Sequence, residues 1–155
     1  MFPIQLGLKA SCAPEQVASR LKYHPDVFEF FTSEVDYTAD GLEKLEEAIQ
    51  KVKSSSVKTI VLHHPMKYQG KRLELVAHPK NNAELVNFID FSTQKLLDLA
   101  KKYDCKVLVH GSYELEEAEL LEPFASIEDA RQYLFSRMDH FCHIGKDYIM
   151  FENGI

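Results

Sequence analysis

Three short apolar runs of the sequence each end in a side chain that can bind a metal ion or transfer a proton. The runs are TIVLHHP at 59–65, KVLVHGS at 106–112 and DYIMFENGI at 147–155. The first run ends with the pair His63 and His64, the second contains His110, and the third contains Glu152. A turn-forming residue closely follows the polar side chain in each run. Two imidazoles and a carboxylate form a suitable ligand set for Zn²⁺, Mn²⁺ or a similar ion. The same groups could instead handle protons, with Glu152 as the base and a histidine as the acid.

The two adjacent histidines cannot both enter such a site. Side chains alternate along a strand, so His63 and His64 must point to opposite faces of the sheet. One of them is therefore expected in the site and the other beneath a helix. A single histidine at a strand end is more often structural than a ligand, but three strand ends of this kind favour a functional site about as strongly as a structural role.

These strand ends require a framework in which strands and helices alternate. Strands are predicted at 3–10, 27–32, 59–65, 106–112 and 147–155, and helices at 11–23, 41–52, 83–103 and 126–140. Asp40 is predicted to cap the second helix, Asn81 or Asn82 the third, and Ser126 with Asp129 the fourth. Such alternation predicts an α/β fold with parallel strands and right-handed crossovers. In that fold, ligands bind at the carboxyl ends of the strands.

Basic residues are concentrated in the long segment that follows His64. Lys67, Tyr68, Lys71 and Arg72 are predicted to form a lid that binds a phosphate or sugar hydroxyls. A solvated loop with ordinary surface charges is an equally good interpretation.

A few other polar side chains are secondary candidates. Glu29 lies between two phenylalanines on the second strand, so it points to the other face and could contact a substrate. Tyr113 could lean over the site, whereas the Glu-rich stretch 114–122 is typical of a solvated helical face. The histidines at 78, 140 and 143 are predicted to lie in a loop or in the last helix rather than to bind a metal.

Composition is that of an ordinary globular chain. The 155 residues predict a single domain spanning 1–155, with 45% hydrophobic and 27% charged residues. A net charge of -6 disfavours duplex DNA and anionic membranes as partners. No apolar run reaches the roughly 18 residues of a membrane helix. Cys12, Cys105 and Cys142 lack any disulfide or CxxC pattern, so we expect buried cysteines and a cytoplasmic location.

The order of these features resembles the xylose-isomerase-like TIM-barrel superfamily, which contains sugar phosphate isomerases and epimerases and the endonuclease IV type of AP endonuclease. The resemblance depends on the segments LGLKAS, FEFFTSEVD, VLHHP, VLVHGS and MFENG, taken in order. In the endonuclease IV branch, the third and fourth strands offer metal-binding histidines and the fifth a Glu-Asn pair whose Glu bridges metals. Carried over, the resemblance implies His64 rather than His63, then His110, then Glu152 as metal ligands, with His110 and Glu152 also catalytic.

The family barrel has eight strands and about 250 residues. The resemblance therefore implies a partial TIM-type (β/α) barrel, with about the first five strands and four helices. The chain is expected to be the N-terminal part of a longer barrel, or a five-stranded half-barrel. The open edge of the last strand would then self-associate to form a homo-oligomer or be covered by a partner.

The implied function is that of a divalent-metal-dependent isomerase or epimerase acting on a sugar or sugar phosphate, with Zn, Mn or Mg as the metal. Two alternatives remain at this point. One is an endonuclease IV-like phosphodiesterase, which the negative net charge disfavours. The other is a non-catalytic partial barrel whose histidines no longer serve a reaction.

Overall fold

The chain is seen in a computed structural model that describes residues 4–110 and 121–152. The strands are β1 (Gly7–Ala10), β2 (Val27–Phe31), β3 (Thr59–His63), β4 (Lys67–Tyr68), β5 (Lys71–Arg72), β6 (Lys106–His110) and β7 (Ile149–Glu152). The helices within these ranges are α1 (Pro14–Leu21), α2 (Ala39–Lys53), α3 (Pro79–Tyr103) and α4 (Ile127–Gly145), with 3₁₀ turns at Glu34–Tyr37 and Lys146–Tyr148. The predicted α/β class is confirmed.

Five of the strands form one parallel sheet in the order β1-β2-β3-β6-β7. Each strand of this sheet after β1 therefore pairs with the sheet strand that precedes it in the chain. The remaining strands, β4 and β5, form a separate antiparallel hairpin. The parallel pairing predicted from the alternation of elements is confirmed, and it brings the carboxyl ends of all five strands to one edge.

The helices cover one face of the sheet, where the hydrophobic core lies. This face carries alternate strand residues that are almost fully buried: Ala10, Phe28, Phe30, Ile60, Leu62, Val107 and Val109. The same cluster takes Val17 from α1, Ile49 from α2, Leu96 from α3 and Phe141 from α4. Strand alternation sends the intervening residues to the other face, which we call the open face. Two apolar side chains there, Phe31 and Met150, remain 40% and 38% exposed.

The helix starts are set by caps, and one of them differs outright from the prediction. Thr38, not Asp40, caps α2, because the extended Thr38 backbone lets its side chain accept from Gly41 N at 3.0 Å. His78 caps a first short turn of α3 at Pro79, but the helix is broken at Asn82 (φ -133°, ψ 42°), so its long part begins at Ala83, as predicted. The predicted cap of α4 is confirmed, since Ser126 accepts from Asp129 N.

The basic segment after β3 is only partly a surface loop. Its first half is the β4–β5 hairpin, whose two-residue turn has positive φ at Gln69 (49°) and Gly70 (79°). Its second half is buried core, at Leu73, Leu75, Val76 and Ala77. The hairpin is anchored, because the Tyr68 ring stacks on Phe88 with centroids 4.0 Å apart and Gln69 N donates to Glu34 Oε2 at 2.7 Å.

The cysteines occupy three different environments. Cys105 is buried, Cys12 is partly buried and Cys142 is exposed, so the predicted burial is wrong for Cys142, whose position on α4 faces water. Burial raises the pKa of Cys12 and of Cys105 to about 11, which keeps both thiols protonated at neutral pH.

None of the helices in the described ranges has both the length and the apolar character needed to cross a bilayer.

Candidate metal centre

His63, His110 and Glu152 meet at the carboxyl ends of β3, β6 and β7. One ligand atom from each lies within 4.8 Å of the other two. Glu152 Oε2 is 3.4 Å from His63 Nε2 and 3.4 Å from His110 Nδ1. Bonds of about 2.1 Å around a tetrahedral Zn²⁺ place neighbouring donor atoms about 3.4 Å apart. The spacing and chemistry of these three side chains therefore fit a divalent cation.

Both imidazoles are held before any metal binds. His63 and His110 pack edge to face, with ring centroids 4.5 Å apart, and their side chains are 5% and 6% exposed. His63 Nδ1 lies 2.8 Å from the carbonyl oxygen of His64. A proton on Nδ1 donates to that carbonyl, so Nε2 is the ring nitrogen that faces Glu152. This backbone contact is the kind that fixes the tautomer of a metal-binding histidine.

The local electrostatics favour neutral imidazole at His110. Burial lowers the pKa of His110, and the neighbouring His63 lowers it further, while the Glu152 carboxylate acts in the opposite direction. A neutral imidazole is the form that binds a metal ion, so burial removes the competition from protons. Glu152, 42% exposed at its side chain, is the member of the group that water and small molecules reach.

His64, the ligand implied by the family resemblance, lies on the other side of β3. Its ring is buried beneath α3, with Nε2 2.8 Å from Ser92 Oγ, and burial lowers the pKa of His64 to about 3. Strand alternation requires this separation once His63 occupies the open face. The expectation that one histidine enters the site and the other packs under a helix holds, but the histidine in the site is His63.

Glu29 also reaches this group of residues. Its Oε1 lies 3.9 Å from His63 Nε2 and 2.7 Å from Lys9 Nζ. Lys9 and Glu29 are register partners on β1 and β2, so their side chains share the open face. Lys9 is the site residue that the sequence prediction missed. An opposite charge at the paired position of the neighbouring strand is the signal that would have found it.

A cleft of about 660 Å³ opens beside His63. Its wall includes Lys9, Lys67 and Arg72, whose positive charges suit an anionic group. Lys67 pairs with Arg72 across the hairpin, so both face the cleft, whereas Tyr68 and Lys71 form the alternate pair. These two line a separate cleft of about 320 Å³ at the start of α3. The predicted binding set is thus divided between the two sides of the hairpin.

The three histidines that the sequence assigns to a loop or to the last helix lie outside this group. His78 caps α3 and packs against the Phe124 and Tyr133 rings, while His140 and His143 are on α4, as predicted for the last helix. Tyr113 and most of the Glu-rich stretch lie outside the described residues, so those predictions remain predictions.

Comparisons of the chain with known protein families, with curated proteins and with solved structures find no match.

Proposed function

We propose that this chain is a divalent-metal-dependent protein of the sugar or sugar-phosphate isomerase and epimerase kind. The observation that carries the proposal is the convergence of His63, His110 and Glu152 at three strand ends, with Glu152 Oε2 3.4 Å from a nitrogen of each histidine and all three donors within 4.8 Å. His63 replaces His64 in the ligand set expected from the resemblance. When bound, a divalent cation at this position would polarise a carbonyl or hydroxyl oxygen of the substrate.

The strand order supports a TIM-type partial barrel as the framework. In a (β/α)₈ barrel every strand neighbours the strands before and after it in the chain, and the helices lie on the outside. The order β1-β2-β3-β6-β7, with the helices of residues 4–110 and 121–152 on one face, agrees with that architecture. In this interpretation the open face is the barrel interior, and the candidate metal centre lies at its carboxyl end.

The cleft supports a substrate that carries negative charge. Lys67 and Arg72 project from the anchored hairpin toward a space that also borders His63. An ammonium and a guanidinium side by side can hold a phosphate or several hydroxyl groups. The proposed role of the two side chains is to orient one end of a sugar phosphate so that its reacting carbon lies near the candidate metal centre.

Metal binding is the first test. Elemental analysis of the purified protein and calorimetric titration with Zn²⁺ and Mn²⁺ should find one ion per chain. His110→Ala and Glu152→Gln should each weaken binding at least about tenfold, because each removes one donor or its charge. His143→Ala, which changes an exposed histidine of α4, is the matched control and should bind as the unmodified protein does. Unchanged binding in both site variants would disprove the assignment.

Substrate turnover is the second test. Metal-loaded protein should exchange a carbon-bound proton of a sugar or sugar phosphate with deuterated solvent, as followed by NMR. Cleavage of abasic DNA without sugar turnover would favour the phosphodiesterase alternative, which the net charge of -6 disfavours. A bound metal with neither activity would favour the non-catalytic partial barrel.

A further inference from the structure

We infer that Glu29 is a fourth ligand of the candidate metal centre and that Lys9 holds its carboxylate while the metal is absent. The inference rests on the proposed metal site and adds a ligand from β2. It also adds an exchange, in which the Glu29 carboxylate leaves Lys9 to bind the metal. It concerns the ion pair between Lys9 and Glu29, which borders the three proposed ligands without belonging to their group.

Glu29 must move toward the candidate metal centre before it can bind a metal there. Its Oε1 is 3.9 Å from His63 Nε2, about 0.5 Å more than the spacing of neighbouring donors in a tetrahedral site, but Glu29 is not among the side chains whose donor atoms lie within 4.8 Å of one another, so its carboxylate must also approach His110 and Glu152. The side chain is 27% exposed and has rotatable bonds that allow this movement. Three protein ligands leave at least one coordination position open, and a carboxylate oxygen is an accepted donor for zinc and for manganese.

The charges of the open face support the exchange. Two neutral imidazoles with the Glu152 carboxylate would leave a divalent cation with one uncompensated positive charge. Addition of Glu29 would make the group neutral, which is favoured beside the two buried imidazoles. Without the metal, Glu29 needs a different cation, and Lys9 provides it at 2.7 Å. The ammonium of Lys9 thus takes the place of the metal charge.

Lys9 can release the carboxylate at little cost. Its side chain is 50% exposed on the edge strand β1, and ion pairs of exposed side chains contribute little to stability. Lys9 also lines the 660 Å³ cleft, so after release its ammonium remains in water beside Lys67 and Arg72. Metal binding would then leave three cations facing the space where an anionic substrate is proposed to bind.

The experiment is a titration with Co²⁺ alone, which reports both affinity and coordination through its visible absorption. Glu29→Gln keeps the shape of the side chain but not its charge, and it should weaken Co²⁺ binding about tenfold or more. It should also reduce the intensity of the tetrahedral absorption bands. Lys9→Met removes the competing ammonium and should tighten binding several-fold. Glu34→Gln is the matched control, because Glu34 lines the same cleft but bonds Gln69 N, and it should leave binding unchanged.

The double variant Lys9→Met with Glu29→Gln separates exchange from simple charge repulsion. If Lys9 acts through Glu29, the Lys9→Met change should raise the Co²⁺ affinity very little when Glu29 is already replaced. The double variant should then bind Co²⁺ about as tightly as Glu29→Gln does. An equal gain in both backgrounds would show a long-range charge effect and overturn the exchange. Unchanged Co²⁺ affinity and spectrum in Glu29→Gln would overturn the ligand assignment while the proposed metal site stands. No Co²⁺ binding by the unmodified protein would overturn both, and melting curves confirm that each variant is folded.

Discussion

The two faces of the five-stranded sheet are built from the same strands but hold different chemistry. The face under the helices is mainly apolar and buried, with Phe28, Phe30 and Leu62 at 0% exposure. The open face carries His63, His110 and other ionisable groups that contact one another. Successive residues of one strand therefore belong either to the core or to the candidate site. Substitutions at neighbouring positions of one strand therefore test different properties. Those on the face under the helices test stability, and those on the open face test binding.

The largest contrast is expected between Phe28 and Phe31, two phenylalanines of β2. Phe28 is fully buried, so Phe28→Ala should reduce the free energy of unfolding by about 3–5 kcal/mol. Phe31 is 40% exposed on the open face, and Phe31→Ala should cost about 1 kcal/mol or less. Urea unfolding followed by circular dichroism measures both. Equal losses would mean that the open face is covered and packed like the core.

The next effect is the pH dependence that His64 confers on stability. Burial holds the pKa of His64 near 3 in the folded chain, against 6.5 as its ordinary value. The unfolded chain therefore binds the extra proton between these values, so stability should fall as the pH drops below about 6.5. Between pH 7 and pH 5 the loss due to His64 should be about 2 kcal/mol.

The check is urea unfolding at pH 7 and pH 5 in the presence of a chelator. His64→Gln keeps a hydrogen-bonding side chain but removes the titrating group, so its stability should change less between the two pH values. The carboxyls with lowered pKa, Asp26 and Glu46, have ordinary values of 3.8 and 4.5 and contribute mainly below this window. The same loss in both proteins would mean that His64 is not responsible.

How far the sequence predicts this molecule depends on the pattern in each strand. In β2 the polar Glu29 between two phenylalanines indicates at once which residues face the core. In β3 the run Ile60, Val61, Leu62 is apolar at every position, and Val61 is buried although it lies on the open face. No alternation marks which of the two following histidines joins the site. The resemblance favours His64, but the structure has His63 there.

Other features depend on contacts that a linear pattern does not contain. The alternation of apolar strands and amphipathic helices predicts the parallel sheet, since that pattern is local. The burial of residues 73–77 depends on where the anchored hairpin directs the chain, and their mixed sequence LELVA looks like an ordinary loop. The opposite charges of Lys9 and Glu29 are visible in the sequence, but only the register of β1 and β2 shows that the two residues are paired.

A smaller effect is expected at Ser92, which supports His64 from the helix side. Ser92 Oγ lies 2.6 Å from the Phe88 carbonyl oxygen and 2.8 Å from His64 Nε2. Ser92→Ala leaves the buried imidazole without this partner and should cost about 1–2 kcal/mol. The adjacent Thr93 is equally buried, and its hydroxyl has no hydrogen-bond partner within the described residues. Thr93→Val is therefore the matched control and should be neutral in thermal unfolding; equal losses would assign the effect to helix packing.

The smallest effect is expected at the hairpin, which borders the open face without belonging to the core. Gly70 has φ of +79°, and apart from its own chain neighbours no atom of the described residues lies within 4 Å of the point that a Cβ would occupy. Gly70→Ala therefore adds backbone strain of about 1 kcal/mol but no clash. The strain should open the hairpin locally rather than unfold the chain.

The local readout is hydrogen exchange of the Leu73 amide, which donates to the Met66 carbonyl at 3.0 Å. Its protection in Gly70→Ala should fall about fivefold, since RT is about 0.6 kcal/mol. Gly7→Ala, where the added Cβ meets Val27 at an ordinary 3.8 Å, should leave that protection unchanged. If Gly70→Ala instead lowered the protection of β3 amides equally, the hairpin would be part of the cooperative core, and the cationic wall of the cleft would be as rigid as the sheet beneath it.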